Sequence, residues 1–383
     1  MKKQLLCTSA IALGVAAAPA VAQDWNLDWG GFHNTHIAFG DISAGSPALA
    51  AVSFDGDGLD LHSTGEIIFT PSVTLDNGMT FGINVQMESQ NAGGGIDGID
   101  ETYASMSSDT FGRLDVGSEN SAGYKLMVGA PGVTSMFINS PSTSAFIPFT
   151  GTGTALPFRQ AGLSSYTEVA GNNDVPRITY YTPDFNGLTV GVSYAPTGVV
   201  NAVSGSFSVN TNAVLSDIFD IGVNYSGSFG STDISLGARW GTGDTPSLAL
   251  GASDPETWGI GASITFGSLT IGGSYTENDN DETLIGPAAI SDSEGWSFGV
   301  TYDAAGPWAF EALTYQSESN FAFAGAPTLF DVDREAYRIG ASRALGPGVD
   351  WDIYLVYEER DIVGTFFTEV EGTVLGTAIN LSF

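Results

Sequence analysis

Short segments that alternate apolar and polar residues recur along most of the 383-residue chain. In one of them Phe81, Ile83 and Val85 are separated by Gly82 and Asn84. Similar segments lie near 188–194, 219–225, 258–266, 296–302 and 351–357. Successive side chains of a β-strand point to opposite faces, so each segment has one apolar and one polar face. Strands of this kind, repeated over a whole chain, are typical of a closed transmembrane β-barrel with lipid outside and water inside.

The connections between these segments alternate in length. Short ones, rich in residues that accept turn conformations, lie at 76–78, 108–112, 184–187, 267–268, 303–306 and 346–348. Much longer ones lie near 42–59, 90–98, 197–215, 243–255, 279–293, 319–332 and 361–370. Short turns at one rim and long loops at the other are expected of an outer-membrane barrel. The count predicts an all-β fold of sixteen antiparallel strands, from 29–41 to 371–383.

The start of the chain has the order of a secretion signal. Two lysines precede an apolar run, and the small-residue site Ala20-Val21-Ala22 follows it. A transmembrane anchor is the alternative, but the run is shorter than the roughly 20 residues that a spanning helix needs. We therefore expect a cleaved signal peptide, residues 1–22, and a single barrel domain, residues 23–383.

The C-terminal residues also indicate an exported membrane protein. Thr377, Ile379, Leu381 and Phe383 fall on one face of a final strand, which finishes on an aromatic residue suited to a membrane interface. We expect the protein in the outer membrane of a Gram-negative bacterium. Its lipid-side partners would then be outer-membrane lipid and lipopolysaccharide.

Charge and motifs exclude several function classes. The chain has 11 basic and 43 acidic residues, and loss of the signal leaves nine basic residues and a net charge near −34. Such a chain does not bind nucleic acid through its general field. Its three histidines, His33, His36 and His62, lie in or beside the first two predicted strands, and the sequence has no HExxH motif and no phosphate-binding glycine loop. We expect no enzyme activity.

One connection, residues 120–174, is too long for an ordinary loop. It is rich in small residues, yet it carries scattered Met and Phe side chains that an exposed loop would not usually hold. A barrel of sixteen strands leaves a lumen wide enough for water, so we expect this connection to fold inward and act as a constriction loop.

Several motifs resemble the general-diffusion porins of Gram-negative outer membranes, especially the alphaproteobacterial group typified by the Rhodobacter porins. They are DWGG at 28–31, TFGRLDVG at 110–117, RITYYTPDFNGL at 177–188 and the terminal Phe383, and the similarity covers 23–383 in element order. The resemblance implies a homotrimer of sixteen-stranded barrels. It also implies an eyelet in which basic residues of the wall face acidic residues of an inward third loop.

Strand parity places five basic residues inside the barrel: Arg113, Arg177, Arg239, Arg334 and Arg338. The alternative is that these arginines are solvated at the rim. We also expect Asp115, Glu119, Glu168 and Asp174 to line the pore. Acids that share the lumen parity are Glu66, Glu88, Glu101, Asp115, Asp220, Glu311, Asp352 and Glu358. Their excess over the arginines predicts a modest preference for cations.

Two loop clusters of oxygen ligands are weak candidates for calcium. One contains Asp55, Asp57 and Asp60, and the other contains Asp279 and Asp281. Neither has the ordered spacing of an EF-hand, and solvated loop acids are the favoured alternative. No other cofactor is expected.

The sequence therefore predicts a water-filled channel for passive diffusion of small hydrophilic solutes and ions. A substrate-selective porin is one alternative, and it would need lumen aromatics such as Tyr103, Tyr181 and Tyr354. A surface adhesin or receptor barrel is the other, with its function in the long loops. The first strand alternates poorly, which would place it against a neighbouring subunit instead of lipid.

Overall fold

A computed structural model describes residues 24–44, 57–89, 98–136, 168–169, 174–198, 215–245, 254–279, 290–321, 330–363 and 369–383. The strands are β1 Asn26–Ala44, β2 Gly58–Thr74, β3 Thr80–Glu88, β4 Thr102–Ser108, β5 Gly112–Glu119, β6 Val175–Tyr181, β7 Leu188–Thr197, β8 Ser216–Phe229, β9 Thr232–Asp244, β10 Glu256–Phe266, β11 Leu269–Asp279, β12 Ile290–Asp303, β13 Trp308–Phe321, β14 Phe330–Gly346, β15 Val349–Val363 and β16 Glu369–Ser382. A short helix, α1, spans Ala122–Leu126. Within these ranges no helix is both long enough and apolar enough to cross a membrane.

Each strand pairs with its sequence neighbours, and β1 closes the barrel against β16. The closing register runs from Phe32 opposite Ser382 to Ala44 opposite Val370. Phe383 extends it, because Gly31 and Phe383 exchange backbone hydrogen bonds of 3.0 and 3.1 Å. The sixteen-stranded antiparallel barrel predicted from the sequence is confirmed.

The barrel is apolar outside and polar inside, as β14 illustrates. Tyr337 and Ile339 are 41% and 57% exposed on the outer face, whereas Arg338 between them is 3% exposed and points inward. In a sheet of a water-soluble protein, apolar residues such as Ile339 would be buried and a charged residue such as Arg338 would be exposed. The alternation therefore marks which face meets lipid, and it puts the chemistry of the protein in the lumen.

Short turns join the strands at one rim. Gly267 and Gly348 adopt φ angles of +59° and +66° in the two-residue turns β10–β11 and β14–β15, a conformation that favours glycine. Residues 230–231 form another such turn between β8 and β9, which the sequence reasoning missed. Because the strands are antiparallel, the long connections all leave the opposite rim.

Several strands extend further toward the long loops than predicted. β12 begins at Ile290 instead of 294, and β14 begins at Phe330 instead of 333. In these extensions the strand ladder continues through polar residues such as Ser293 and Asp331. Outside the apolar band both faces meet water, so hydrophobic alternation stops before the hydrogen bonding does.

Candidate functional site

Residues 120–136, here called the inner segment, follow β5 and turn into the barrel. The N–H of Ala122 donates to Ser193 Oγ on β7 at 2.8 Å, and the N–H of Gly123 donates to Asp220 Oδ1 on β8 at 2.7 Å. Both acceptors are buried and face inward. The chain is therefore bound to the inner wall directly after it leaves the strand.

The inner segment then follows the wall around much of the barrel. Ala130 N–H donates to Ser297 Oγ on β12 at 3.2 Å, and Ser135 N–H donates to Asp352 Oδ2 on β15 at 2.8 Å. Between these points Glu311 of β13 receives several donors. The path from β7 to β15 places this part of the predicted inward loop inside the lumen.

Glycines of the wall make room for this path. A Cβ added at Gly237 of β9 would lie 2.7 Å from the N of Val128, and one at Gly261 of β10 would overlap the carbonyl oxygen of the same residue. Two further wall glycines face backbone oxygens of the segment in the same way: Gly222 faces Ala122, and Gly299 faces Pro131. The backbone of the inner segment can approach the sheet closely only because these positions lack side chains.

The described part of the segment ends in an apolar patch of the lumen. Met136 is 1% exposed and belongs to a buried cluster with Tyr354, Val356, Val374 and Ala38. An apolar residue at this point therefore packs against the wall strands β15, β16 and β1. This contact explains why a loop rich in small polar residues also carries methionine.

Two of the predicted pore arginines pair with the same wall acids that hold the inner segment. Arg338 Nε lies 2.7 Å from Glu311 Oε1, and Arg239 pairs with Asp220. All four side chains are at most 2% exposed. Each carboxylate thus joins a wall guanidinium to backbone N–H groups of the segment.

The remaining inward arginines of β6, β14 and β15 are also buried and paired. Arg177 lies 3.9 Å from Glu168, whose other oxygen accepts the N–H of Ser121 at 2.8 Å. Arg334 lies 3.0 Å from Glu358, which also pairs with Arg360. Arg360 was missed by the sequence reasoning, although the parity of β15 that places Glu358 inside also indicates it.

Arg113 and Lys125 differ from these arginines because their side chains are 46% and 25% exposed. Arg113 Nε lies 2.8 Å from Asp115 Oδ1, and Lys125 Nζ lies 2.7 Å from Glu119 Oε2. The two cations flank the ring of Tyr103, at 5.7 and 4.7 Å from its centroid. Sequence reasoning placed Arg113 and the two acids at the pore but gave Lys125 no role.

The buried acids beneath these cations keep them charged. Asp115, Glu119 and Glu101 have side chains that are at most 5% exposed. Burial alone would lower the pKa of Lys125, but the nearby carboxylates of Glu119 and Glu101 outweigh it and raise this pKa above its usual value. The buried carboxylates therefore favour the charged form of Lys125.

The sequence of the chain matches a known protein family. The family model for the Gram-negative porin matches residues 8–362. The chain belongs to the Gram-negative porin family. It is accordingly a β-barrel of the outer membrane that forms a diffusion channel.

Solved structures similar to this porin share its fold. The trimer form of OmpT, an outer-membrane protein of Vibrio cholerae, has 15% identity and a TM-score of 0.59, with 94% of the porin and 99% of that chain covered. An anion-selective porin from Comamonas acidovorans has 15% identity, a TM-score of 0.58 and coverage of 94% and 100%. A mutant Rh. blastica porin has 18% identity, a TM-score of 0.52 and the same coverage. No curated protein sequence matches the porin.

The wall acids of the porin are mostly covered. Of those predicted to face the lumen, six are buried: Glu101, Asp115, Asp220, Glu311, Asp352 and Glu358. Glu66 and Glu88 are half-buried, and Asp174 is buried at the start of β6 with φ of +51°. A count of acids by parity therefore does not measure the negative charge that water in the lumen can reach.

Three of the calcium candidates of the porin lie within the described residues. Asp57 accepts the N–H of Ile42 at 2.9 Å, Asp60 accepts the N–H of Leu61 at 2.7 Å, and Asp279 ends β11. Asp55 and Asp281 lie outside the described residues. In the part of the chain that the structure describes, no group of three or more His, Cys, Asp or Glu residues could hold a metal ion. Calcium binding stays a prediction.

Proposed function

We propose that the inner segment is the constriction of a passive channel for small hydrophilic solutes and ions. The observation that carries this proposal is the course of residues 120–136, which are bound to the inner wall from β7 to β15. A chain laid along the wall of a sixteen-stranded barrel reduces its cross-section without closing it. Solutes would then be sorted by size at this level and biased by the charges that reach the water.

A channel that lacks substrate selectivity fits the lumen better than one with an aromatic path. Tyr103 and Tyr354 are 7% and 1% exposed, so these two inward aromatics do not offer their ring faces to a solute. Tyr354 instead bonds to His36 Nδ1 at 3.0 Å, and Tyr103 bonds to Arg113. Apart from the apolar patch around Met136, the inward side chains named above are mostly polar, which suits hydrated solutes.

We further propose that the channel is a homotrimer in contact with outer-membrane lipid and lipopolysaccharide. A similar structure, that of Vibrio cholerae OmpT, is a trimer form. In this chain β1 and β2 present the large exposed apolar side chains Trp29, Phe39, Leu59 and Leu61 on their outer face. Such a face can pack against the same strands of a neighbouring subunit. Cleavage of residues 1–22 during export is part of the same proposal.

Single-channel recording on the purified protein, reconstituted in a planar bilayer, tests the channel itself. Replacing residues 121–173 by a short Gly-Ser turn tests the constriction, and the fold permits it because Glu119 and Val175 are paired neighbours on β5 and β6. We expect a larger conductance step and faster entry of large sugars into liposomes. Shortening the connection 280–289 is the control and should change neither. A wild-type protein without conductance would favour the receptor barrel instead.

A further inference from the structure

The cations inside the barrel fall into two classes by their exposure. Arg239 and Arg338 have side chains that are 0% and 2% exposed, and each pairs with a carboxylate that also binds the inner segment. Arg113 and Lys125 reach the water, while their carboxylate partners lie underneath. An ion that moves through the lumen can therefore touch the second pair of cations but not the first.

The exposure of a charged side chain decides how strongly it acts on a passing ion, because screening by salt water and pairing with a counter-charge both weaken its field at a distance. A buried ion pair acts on a solute as a dipole, whose field falls off faster than that of a single charge. At about 0.15 M salt the Debye length is roughly 8 Å, so a charge that the solute cannot approach contributes little. A guanidinium or ammonium group at the water surface can form a charge-assisted hydrogen bond with an anion directly.

The net charge of the cluster around Arg113 and Lys125 would predict attraction of cations instead of anions. Asp115, Glu119 and Glu101 outnumber Arg113 and Lys125 in this cluster, so a count of charges predicts that it attracts cations. All three carboxylates are nearly inaccessible, and Glu101 is occupied by the amide groups of Gln86 and Asn120 at 3.0 and 2.6 Å. These carboxylates already have protein partners, whereas the side chains of Arg113 and Lys125 are partly exposed to the lumen.

We propose that Arg113 and Lys125 form an anion-contact site that sets the charge preference of the channel, and that Arg239 and Arg338 are positioning residues for the inner segment. The site favours small solutes that carry a carboxylate or phosphate group. This inference rests on the proposed channel function and reverses the cation preference predicted from the sequence. Among the wall arginines, Arg113 then determines specificity, whereas Arg239 and Arg338 have a structural role.

Two double variants that keep the net charge of the protein test the assignment. Arg113→Gln with Asp115→Asn removes an exposed cation and its buried partner, and Arg338→Gln with Glu311→Gln removes a buried pair. The measurement is the reversal potential across a potassium chloride gradient at low mean salt. We expect the first variant to shift the permeability ratio toward potassium by about two- to threefold, the effect of one charge roughly 7 Å away through water. The second should leave the ratio unchanged and increase current noise.

Further variants keep the test decisive. Lys125→Gln with Glu119→Gln should shift the ratio in the same direction as the Arg113 variant. Arg343→Gln is the matched control, because Arg343 lies on the outer face with its guanidinium 5.5 Å from the Trp308 ring, and it should have no effect. Equal shifts from the Arg113 and Arg338 variants would overturn the assignment, as would no shift from either exposed pair. Channels that conduct with an unmoved reversal potential would refute only this site, whereas absent conductance would refute the channel.

Discussion

The single carboxylate of Glu311 binds both Thr134 of the inner segment and Arg338 of the wall. Its oxygens accept the N–H of Thr134 at 3.1 Å, the hydroxyl of Thr134 at 2.7 Å and Arg338 Nη2 at 3.1 Å. A buried carboxylate is tolerated only when it is paired and its lone pairs are satisfied. Arg338 and the segment supply these partners together, so the ion pair and the position of the segment depend on each other.

Glu311→Gln should loosen the segment. An amide retains the shape of the side chain but loses the charge, and it adds N–H donors where only acceptors are needed. Arg338 would also lose its buried counter-charge. We expect open-channel noise to increase and mean conductance to rise by tens of per cent, measured in single-channel recordings.

A matched carboxylate provides the control for this variant. Glu294 on the neighbouring strand β12 is exposed on the outer face, where it accepts the hydroxyl of Tyr275 at 2.5 Å. Glu294→Gln should leave noise and conductance as in the wild type. If both variants behave alike, Glu311 does not fix the segment.

Gly261→Val should displace the inner segment through shape alone. The first added carbon would overlap the carbonyl oxygen of Val128, and a backbone group cannot move away as a flexible side chain can. We expect a changed conductance together with a lower midpoint of thermal unfolding. Gly346→Val is the control, because nothing lies within 4 Å of an added Cβ there. Wild-type conductance in a folded Gly261→Val barrel would show that the segment does not lie against β10.

The fold could be predicted because its rule is local. The alternation of Tyr337, Arg338 and Ile339 predicts which side of the sheet each side chain occupies. A glycine in a two-residue turn, such as the turn 347–348, predicts the position of that turn. Strand parity also indicates that Arg239 and Arg338 point inward. It cannot indicate whether an inward arginine reaches water, because that depends on where the inner segment lies.

The path of the inner segment has a weaker sequence signal. Glycines at inward positions, such as Gly237 and Gly261, mark a line where a backbone approaches the wall, but each one alone could serve another purpose. Lys125 was overlooked because its partners Glu119 and Glu101 come from the end of β5 and the residue before β4. The β4–β5 hairpin places these carboxylates next to each other, since Thr102 pairs with Ser118, and the inner segment brings Lys125 over them.

The contribution of Lys125 to the free energy of unfolding should be independent of pH until the solution becomes strongly basic. Its pKa is raised in the folded barrel, where the carboxylates of Glu119 and Glu101 outweigh the opposing effect of burial, so the folded state holds the proton more tightly than the unfolded state does. The contribution is complete below the unfolded pKa, about 10.4, and is lost as the pH rises through the folded pKa. The difference in unfolding free energy between wild type and Lys125→Gln should therefore be constant from pH 7 to about pH 9.5. A difference that declines within this window would contradict the raised pKa.

Ile339→Arg should destabilise the barrel from its lipid face. Ile339 is 57% exposed on the outside of β14, between the interfacial residues Tyr337 and Arg343, and pairs with Leu355. An arginine near the middle of a bilayer costs about 2–4 kcal/mol in outer-membrane barrels. The loss should appear as a lower urea midpoint for barrels folded in phospholipid vesicles. Ser226→Arg is the matched change on an exposed inward position of β8, where water solvates the charge, and it should cost well under about 1 kcal/mol. Equal costs at the two positions would mean that the outer face of β14 does not meet lipid.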